Sequence, residues 1–436
     1  MTDQTATREI LVNDRDGRCI GEKLTNMEPK QRRNDDDSNE FVYRWVCDVE
    51  KWEPIDGHLG KEFQFLLKMI ECEKEREQVL KYYHFADKKR ALVSRLLTRK
   101  ACAKASNLQF KDVLIGRTKG RKPFFANVRD AISSIDENGD TVNDNDGGNG
   151  SSDRERHKNN NESGGIAKAP NFNFNVSHEG KYVALVSEPF AICGVDVAAP
   201  DQLRLGNRSI SKIEEIFETF ESTLHPSEKE QILKQNGLAS QLSRFRQIWS
   251  LKEAWSKCMG TGLGAKFATA AFTISQQEED NHNTVVDDNS NNNNNNSNNN
   301  SSTFGTWTAT ISVDGVNEPS GSIDKNWSFH LHPFPPLEDV YDVPDDDTHW
   351  ITVARGPTSC VVDAHGEFWK TLNAKNIELK RADTWSADIW KPAPRFEMLD
   401  IIDLVPKELR YRFLCVVKDE LNCERVLNSF SNKNRL

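Results

Sequence analysis

The apolar positions of this chain change their period several times, and each change predicts an element. Polar residues dominate 1–40, where only Ile10–Val12 reads as a short strand. From Phe41 the run FVYRWVCDV has the character of a strand, with Val42, Trp45 and Val46 available for burial. Phe63, Leu66, Leu67 and Ile70 then recur at helical spacing, a pattern that fades towards Tyr83. A second helix is predicted over Asp87–Lys104. Leu92, Val93, Leu96 and Leu97 form its apolar face, with Lys88, Arg95 and Arg99 elsewhere.

Further along, Phe172–Val176 alternates Asn with Phe, a period of two that puts Phe172 and Phe174 on one face. Tyr182–Ser187 and Ile192–Val197 read as two more strands. Pro226, Ser227 and Glu230 suggest a helix that opens at Ser227 with a capping box. A long helix follows from about Ala239 to Met259, stopped by the glycines of MGTGLG. Thr269–Ile274, Trp307–Ser312, Trp327–Leu331 and Trp350–Ala354 predict a second sheet. The pattern implies two blocks joined near 188–192, each with a helix and at least three strands. The fold class is α+β.

Composition divides the chain further. Asn, Asp, Gly and Ser crowd 132–165 and 276–303, and no apolar period survives there. Such segments cannot bury enough surface to offset the entropy of ordering, so both are expected to be disordered inserts. The expected organisation is a flexible 1–40, an N-terminal subdomain over 41–190, a C-terminal subdomain over 191–360, and an extension over 361–436.

Charge excludes some functions. The net charge of −10 argues against a general nucleic-acid or membrane binder. Twelve Lys or Arg against one acid, Asp112, crowd Lys88–Lys122, a stretch that could meet a polyanion. A strand-stacking nucleic-acid surface would interleave aromatics with those cations, and only Phe110 is present. Nine scattered cysteines without a CxxC pair suit free thiols in a reducing compartment. No signal-peptide core or membrane-length apolar run is visible, so a cytoplasmic protein is expected.

Four segments carry candidate chemistry. In WSLKEAWSK, Trp249, Glu253 and Lys257 are four residues apart and share a helix face. A Glu four residues before a Lys is also a common surface pair, although the two tryptophans beside it imply partial burial. In ICGVDV, Asp196 interrupts an apolar strand, where an isolated carboxylate is costly to bury. It lies at the strand end in solvent, or a metal, an Arg or backbone donors compensate it. Mg²⁺ takes one or two protein carboxylates, and Asp196 with Glu253 could be such a pair.

In NVSHEG, adjacent Ser177 and His178 point to opposite sides of an extended chain. They make a poor nucleophile–base pair and better donors to a phosphate, or an ordinary turn. The loop RTKGRKP sets a glycine among four cations, a place where backbone and charge can approach phosphates.

Taken in order, RTKGRKP, NFNFNVSHEGKYVALVSEP, GVDV and FRQIWSLKEAWSKCMGTGLG resemble the 4′-phosphopantetheinyl transferases. The eukaryotic branch that serves aminoadipate-semialdehyde dehydrogenase is the most similar. The resemblance spans roughly Tyr82–Gly264 and continues loosely to Gly356. It implies two pseudo-twofold-related subdomains with coenzyme A bound between them. The implied activity is that of a holo-[acyl-carrier-protein] synthase, which moves phosphopantetheine from coenzyme A to a serine of an apo acyl or peptidyl carrier protein.

By motif, the resemblance makes Asp196 and Glu253 ligands of Mg²⁺, with Glu253 also the base and Lys257 a contact to the α-phosphate. Arg117, Thr118, Lys119, Gly120, Arg121 and Lys122, with Asn175, Val176, Ser177 and His178, would hold coenzyme A. Arg76, or else Lys74 or Lys81, would meet the 3′-phosphate. Many relatives carry a second acid where this chain has Ala198; water could complete the coordination there, as the resembling branch implies, or Glu179 could instead supply a third carboxylate. A monomer without nucleic-acid or membrane partners is expected. The rival reading is a coenzyme A-binding protein that lacks transferase activity.

Overall fold

A computed structural model describes residues 41–118, 121–127, 172–189, 191–200, 204–205, 208–262, 265–276, 307–314, 323–336, 347–361 and 395–433. It also describes two paired strands, Val12–Asn13 and Cys19–Ile20, which belong to a separate unit ending at Glu40. Of the stretches read above as inserts, 132–165 and all of 276–303 except Gln276, which ends a strand, lie outside the described residues.

Two largely antiparallel sheets and three long helices make the main unit. Strands β1 (Arg44–Asp48), β4 (Asn173–Glu179) and β5 (Tyr182–Glu188) form the first sheet with β11 (Glu397–Met398), in the order β11-β1-β5-β4. Only β11 runs parallel to its neighbour. Between β1 and β4, β2 (Ile115–Arg117) and β3 (Pro123–Phe125) pair as a separate hairpin. The second sheet contains β6 (Ile192–Ala198), β7 (Ala270–Gln276), β8 (Trp307–Val313), β9 (Ser328–Phe334) and β10 (His349–Gly356), in the order β7-β8-β9-β10-β6.

Side-chain alternation then sorts the layers. From β5, Val183 and Leu185 join the core beneath α3 (Phe85–Ser106), together with Leu92, Leu96 and Phe63. The other face of β5, through Tyr182, Ala184 and Val186, meets Val195 and Val197 of β6 and Ile351 and Val353 of β10. The outer face of the second sheet, through Ile192, Ala198 and Ala354, packs under α6 (Gly237–Met259). Gly194 lets that helix lie directly on β6, because a Cβ there would stand 2.1 Å from the Ala254 carbonyl oxygen.

Several local expectations change. The pattern from Phe63 to Tyr83 splits into α1 (Lys61–Lys68) and α2 (Glu73–Leu80). Val42 precedes β1 and is only half-buried, and Arg44, the first residue of β1, is buried. A short helix, α4, spans Glu214–Thr219. Helix α5 (Pro226–Leu233) opens at His225, not Ser227, and its capping box pairs His225 with Glu228. Proline sits at N1, where its missing N–H costs nothing.

The basic stretch is not a free surface either. Lys89 donates to the carbonyls of Val49 and Trp52 at 2.7 and 2.8 Å, and Lys88 donates to that of Leu80. Arg99 pairs with Glu75 at 3.1 Å.

Three buried ion pairs lock the layers. Glu188, at the end of β5, binds Arg44 of β1 and, at 2.9 Å, Arg355 of β10, so one carboxylate ties both sheets. Lys252 of α6 and Glu228 of α5 meet at 2.9 Å with no exposure on either side. Residues 395–433 return to the first sheet. Helix α7 (Lys407–Lys433) sets Phe413 against Phe65 of α1. Its Glu420 accepts the amides of Lys61 and Glu62, capping a helix whose own N-cap is glycine.

Candidate active site

Strand β4 faces β6 without backbone pairing, and side chains complete the junction. The Oδ1 atoms of Asn173 and Asn175 accept the amides of Cys193 and Val195 at 3.0 and 2.8 Å. Two residues on, Ser177 follows the same face, and its hydroxyl donates to Asp196 Oδ1 at 3.3 Å. The Asn-Phe alternation therefore carries one face to the core and the other to the site.

Asp196 is 4 % exposed. From α6, Lys257 brings Nζ to 2.5 Å from Asp196 Oδ1 and 2.9 Å from Ser177 Oγ. Glu253 lies one turn earlier on the same face, and burial pushes its carboxyl up, with Lys257 opposing and Asp196 adding to the rise. Glu179 is likewise raised by burial, against the pull of Arg90, and it also feels Asp196.

Beside this cluster opens a cavity of about 330 Å³. Ser94 and Arg95 of α3, Arg117 and Arg121 of the β2–β3 hairpin, His178 of β4, and Lys257 with Gly260 at the end of α6 line it. A second cavity of about 670 Å³ shares Tyr82, Arg95, Arg117 and Arg121, and reaches Gln78 and Lys81. The hairpin tip is shaped by Thr118, whose hydroxyl accepts the Lys122 amide at 3.1 Å, and by Arg121 in the left-handed region at φ 67°. Such a concentration of cations suits an anionic ligand. Burial, and then Arg90 and Lys257, push His178 down to about 4, so its imidazole is neutral at physiological pH.

The structure brings Asp196, Glu253, Lys257 and Ser177 into one cluster, and Arg117, Arg121, Asn175, Val176 and His178 onto the cavity. Lys119 and Gly120 lie outside the described residues. Three expectations change.

Lys122 lines the cavity, but its ammonium donates to the carbonyls of Lys257 and Cys258 at 2.8 and 2.6 Å, which anchors the hairpin to the end of α6. Arg76 donates to the carbonyls of Ile70 and Glu71 and lines neither cavity, whereas Lys81, its alternative, lines the outer one. The expected carboxylate trio of Asp196, Glu253 and Glu179 is not assembled: among the described residues, no group of three or more His, Cys, Asp or Glu is placed to hold a metal. Lys257 stands against Asp196, and Arg90 lies near Glu179. Sequence reasoning missed Arg95, Ser94 and Tyr82. Only the helical register of the α3 cations hinted at them.

A two-carboxylate divalent site does fit the residues present. Asp196 Oδ2 is buried without a hydrogen-bond partner, and Glu253 offers a second carboxylate nearby. Buried polar atoms are rarely left unmatched, and Mg²⁺ commonly takes only one or two protein carboxylates.

Comparisons with known proteins follow the same two halves. Residues 50–140 match the family model described as 4′-phosphopantetheinyl transferase, N-terminal, and residues 192–311 match that of the 4′-phosphopantetheinyl transferase superfamily. The chain is 28 % identical over 232 residues to the L-aminoadipate-semialdehyde dehydrogenase-phosphopantetheinyl transferase of Rattus norvegicus, covering 53 % of this chain and 60 % of that one. With the Homo sapiens protein of the same description the identity is 26 % over 232 residues, again 53 % and 60 %. A phosphopantetheinyl transferase of a Thraustochytrium species is 29 % identical over 239 residues, covering 54 % and 66 %. The matched region thus spans less than two thirds of each relative.

Proposed function

We propose that this chain, whose residues 50–140 and 192–311 match the 4′-phosphopantetheinyl transferase family models, transfers the phosphopantetheine arm of coenzyme A to a serine of an apo carrier protein and releases 3′,5′-ADP. The observation that carries this reading is the cluster of Asp196, Glu253 and Lys257 at the side of a cavity lined by Arg95, Arg117 and Arg121. Coenzyme A would lie along the two joined cavities, with its phosphates among those cations.

The reaction needs positioning and charge neutralisation more than covalent help. The serine oxygen of the acceptor attacks the β-phosphorus, the bond to the bridging oxygen breaks, and that oxygen leaves with its electron pair on the ADP. Glu253 takes the serine proton, directly or through water, and its burial makes it a stronger base than a solvated glutamate. Lys257 turns from Asp196 to the α-phosphate and steadies the charge that develops there. Neutral His178 donates a hydrogen bond to the pyrophosphate. Asp196 and Glu253 would hold Mg²⁺, which when bound supplies charge neutralisation on the pyrophosphate.

The test is incubation with coenzyme A, Mg²⁺ and a panel of apo carrier proteins of fatty-acid, polyketide, peptide-synthetase and aminoadipate-reductase type, read by intact mass. Addition of the arm to at least one carrier is expected. Binding of coenzyme A without transfer to any of them would replace this reading by the non-catalytic one.

A further inference from the structure

Helix α6 closes its own end only in part. The amides of Gly260 and Thr261 both turn back to the Ser256 carbonyl, at 2.9 and 3.1 Å, with Gly260 in the left-handed region at φ 81°. The carbonyls that follow, as in any last turn, have no helical amide ahead of them. Lys122 takes those of Lys257 and Cys258 at 2.8 and 2.6 Å, and its ammonium also reaches the Cys193 carbonyl of β6 at 3.4 Å. Its three N–H donors thus meet three carbonyls, and its charge faces the negative end of the helix. Lys122 is only 6 % exposed. A hairpin lysine has been drawn into the seam between α6 and β6.

Both sides of this contact lead to the candidate site. Lys257 gives one of the carbonyls, and its own Nζ meets Asp196 Oδ1 and Ser177 Oγ. Cys193 stands three residues before Asp196 on the same strand. On the hairpin, the amide and carbonyl of Lys122 bind Thr118 at 3.1 and 3.0 Å, and Arg117 donates to the Arg121 carbonyl at 3.2 Å. Two residues on, Phe124 enters the core beneath α6 with Leu251 and Ala254, a second anchor for the same hairpin.

We propose that Lys122 is a positioning residue and not a phosphate ligand: its ammonium pins the last turn of α6 and so sets where Lys257 Nζ stands over the reacting pyrophosphate. This rests on the transferase reading of Lys257. The cations left to meet coenzyme A are Arg95, Arg117 and Arg121, which line the cavity.

A phosphate ligand and a pin give different patterns. Were Lys122 a ligand, Lys122→Met would weaken coenzyme A binding and flatten its salt dependence, while Lys122→Arg would preserve both. A pin acts instead on the rate once coenzyme A is saturating. Arginine then fails as methionine does, because a planar guanidinium cannot converge on three carbonyls where a compact ammonium fits. Misplacing a reacting group by about 1 Å can cost on the order of 100-fold.

The experiment measures three things on the full-length protein: single-turnover transfer to a carrier protein at saturating coenzyme A, coenzyme A affinity at several salt concentrations, and thermal stability. In Lys122→Met and Lys122→Arg, a rate loss on the order of 10- to 100-fold is expected, with the affinity and its salt dependence as in the wild type. In a Lys257→Ala background, Lys122→Met should cost less than about 2-fold more, since its effect runs through Lys257. Phe124→Leu, which loosens the hairpin without removing a charge, should lower the rate in the same direction by less. It too should be silent in the Lys257→Ala background, and it carries the test if the Lys122 variants do not fold.

A wild-type saturated rate in Lys122→Met, with weaker coenzyme A binding and a flatter salt dependence, overturns the proposal in favour of a phosphate ligand. A rate loss as large in the Lys257→Ala background as in the wild type, tracking a fall in melting temperature, overturns it in favour of a merely structural role. A wild-type protein that transfers to no carrier instead removes the transferase reading, and the pin with it.

Discussion

Lys257 and Asp196 reach one another at 2.5 Å from different elements, the ammonium from the last turn of α6 and the carboxylate from the edge strand β6. Neither element could present its group without Gly194, where the backbone of α6 touches the strand. The contact makes the two residues interdependent. Asp196→Asn and Lys257→Ala are each expected to lower kcat by about 10²–10³-fold. The double variant should lose much less than the product of the two, because a residual partner is no longer left unpaired. Single-turnover transfer to a carrier, measured for all four proteins, checks this.

The clamp between the sheets predicts acid sensitivity. Burial raises the Glu188 carboxyl, but Arg355 and Arg44 outweigh it and the net shift is downward. A depressed carboxylate contributes stability above its unfolded value that is lost as pH falls through the folded one. His330 and His332, buried on β9, are each pushed down to about 3 by burial. The unfolded chain therefore takes up those protons first, and stability should decline as pH drops from about 6.5 towards 3. All three groups act in one direction. Urea midpoints across this range should fall steadily, and Glu188→Gln should cost about 3–5 kcal/mol at neutral pH by leaving two buried guanidiniums underpaired.

Residues 279–302 should be dispensable. Gln276 and Trp307, which flank that stretch, are direct partners in the β7–β8 ladder, so a short turn can join them. Strand β7 is also the edge of the second sheet farthest from β6, which carries Asp196. Deleting 279–302 should leave transfer rate and melting temperature unchanged. A large loss of activity would mean that the stretch contributes to the site.

Much of this arrangement was legible in the residues, for reasons of period. Alternation in NFNFNVS separates Phe174, bound for the core, from Asn175 and Ser177, bound for the site, and the i, i+4 spacing of Glu253 and Lys257 puts both on one face of α6. What escaped were contacts that depend on where distant backbone comes to lie. Lys122 looked like a phosphate ligand because its neighbours are basic, yet it meets carbonyls 135 and 136 residues away. Arg76 was expected at the 3′-phosphate from the family resemblance, yet it turns back to the chain before its own helix. Arg95 looked like a solvated face of α3 until the hairpin placed Arg117 and Arg121 opposite it. The capping box moved from Ser227 to His225 because imidazole can accept an amide as a hydroxyl does.

Glu420→Ala should destabilise the protein by about 1 kcal/mol, the usual worth of an N-cap. Denaturant unfolding measures it, and the change should be larger than that of a nearby exposed acid such as Asp419.

That cap has a consequence for the order in which the chain can mature. Helix α1 begins at residue 61, but the carboxylate that terminates its free amides arrives 359 residues later, and β11 reaches β1 only after residue 397 has been made. During synthesis the second sheet, whose strands end at Gly356, can assemble while the first still lacks its last strand and its helix cap. The half that is translated first is therefore the half that is finished last. A nascent chain halted near residue 390 should resist protease across the second sheet while remaining open to cleavage around α1.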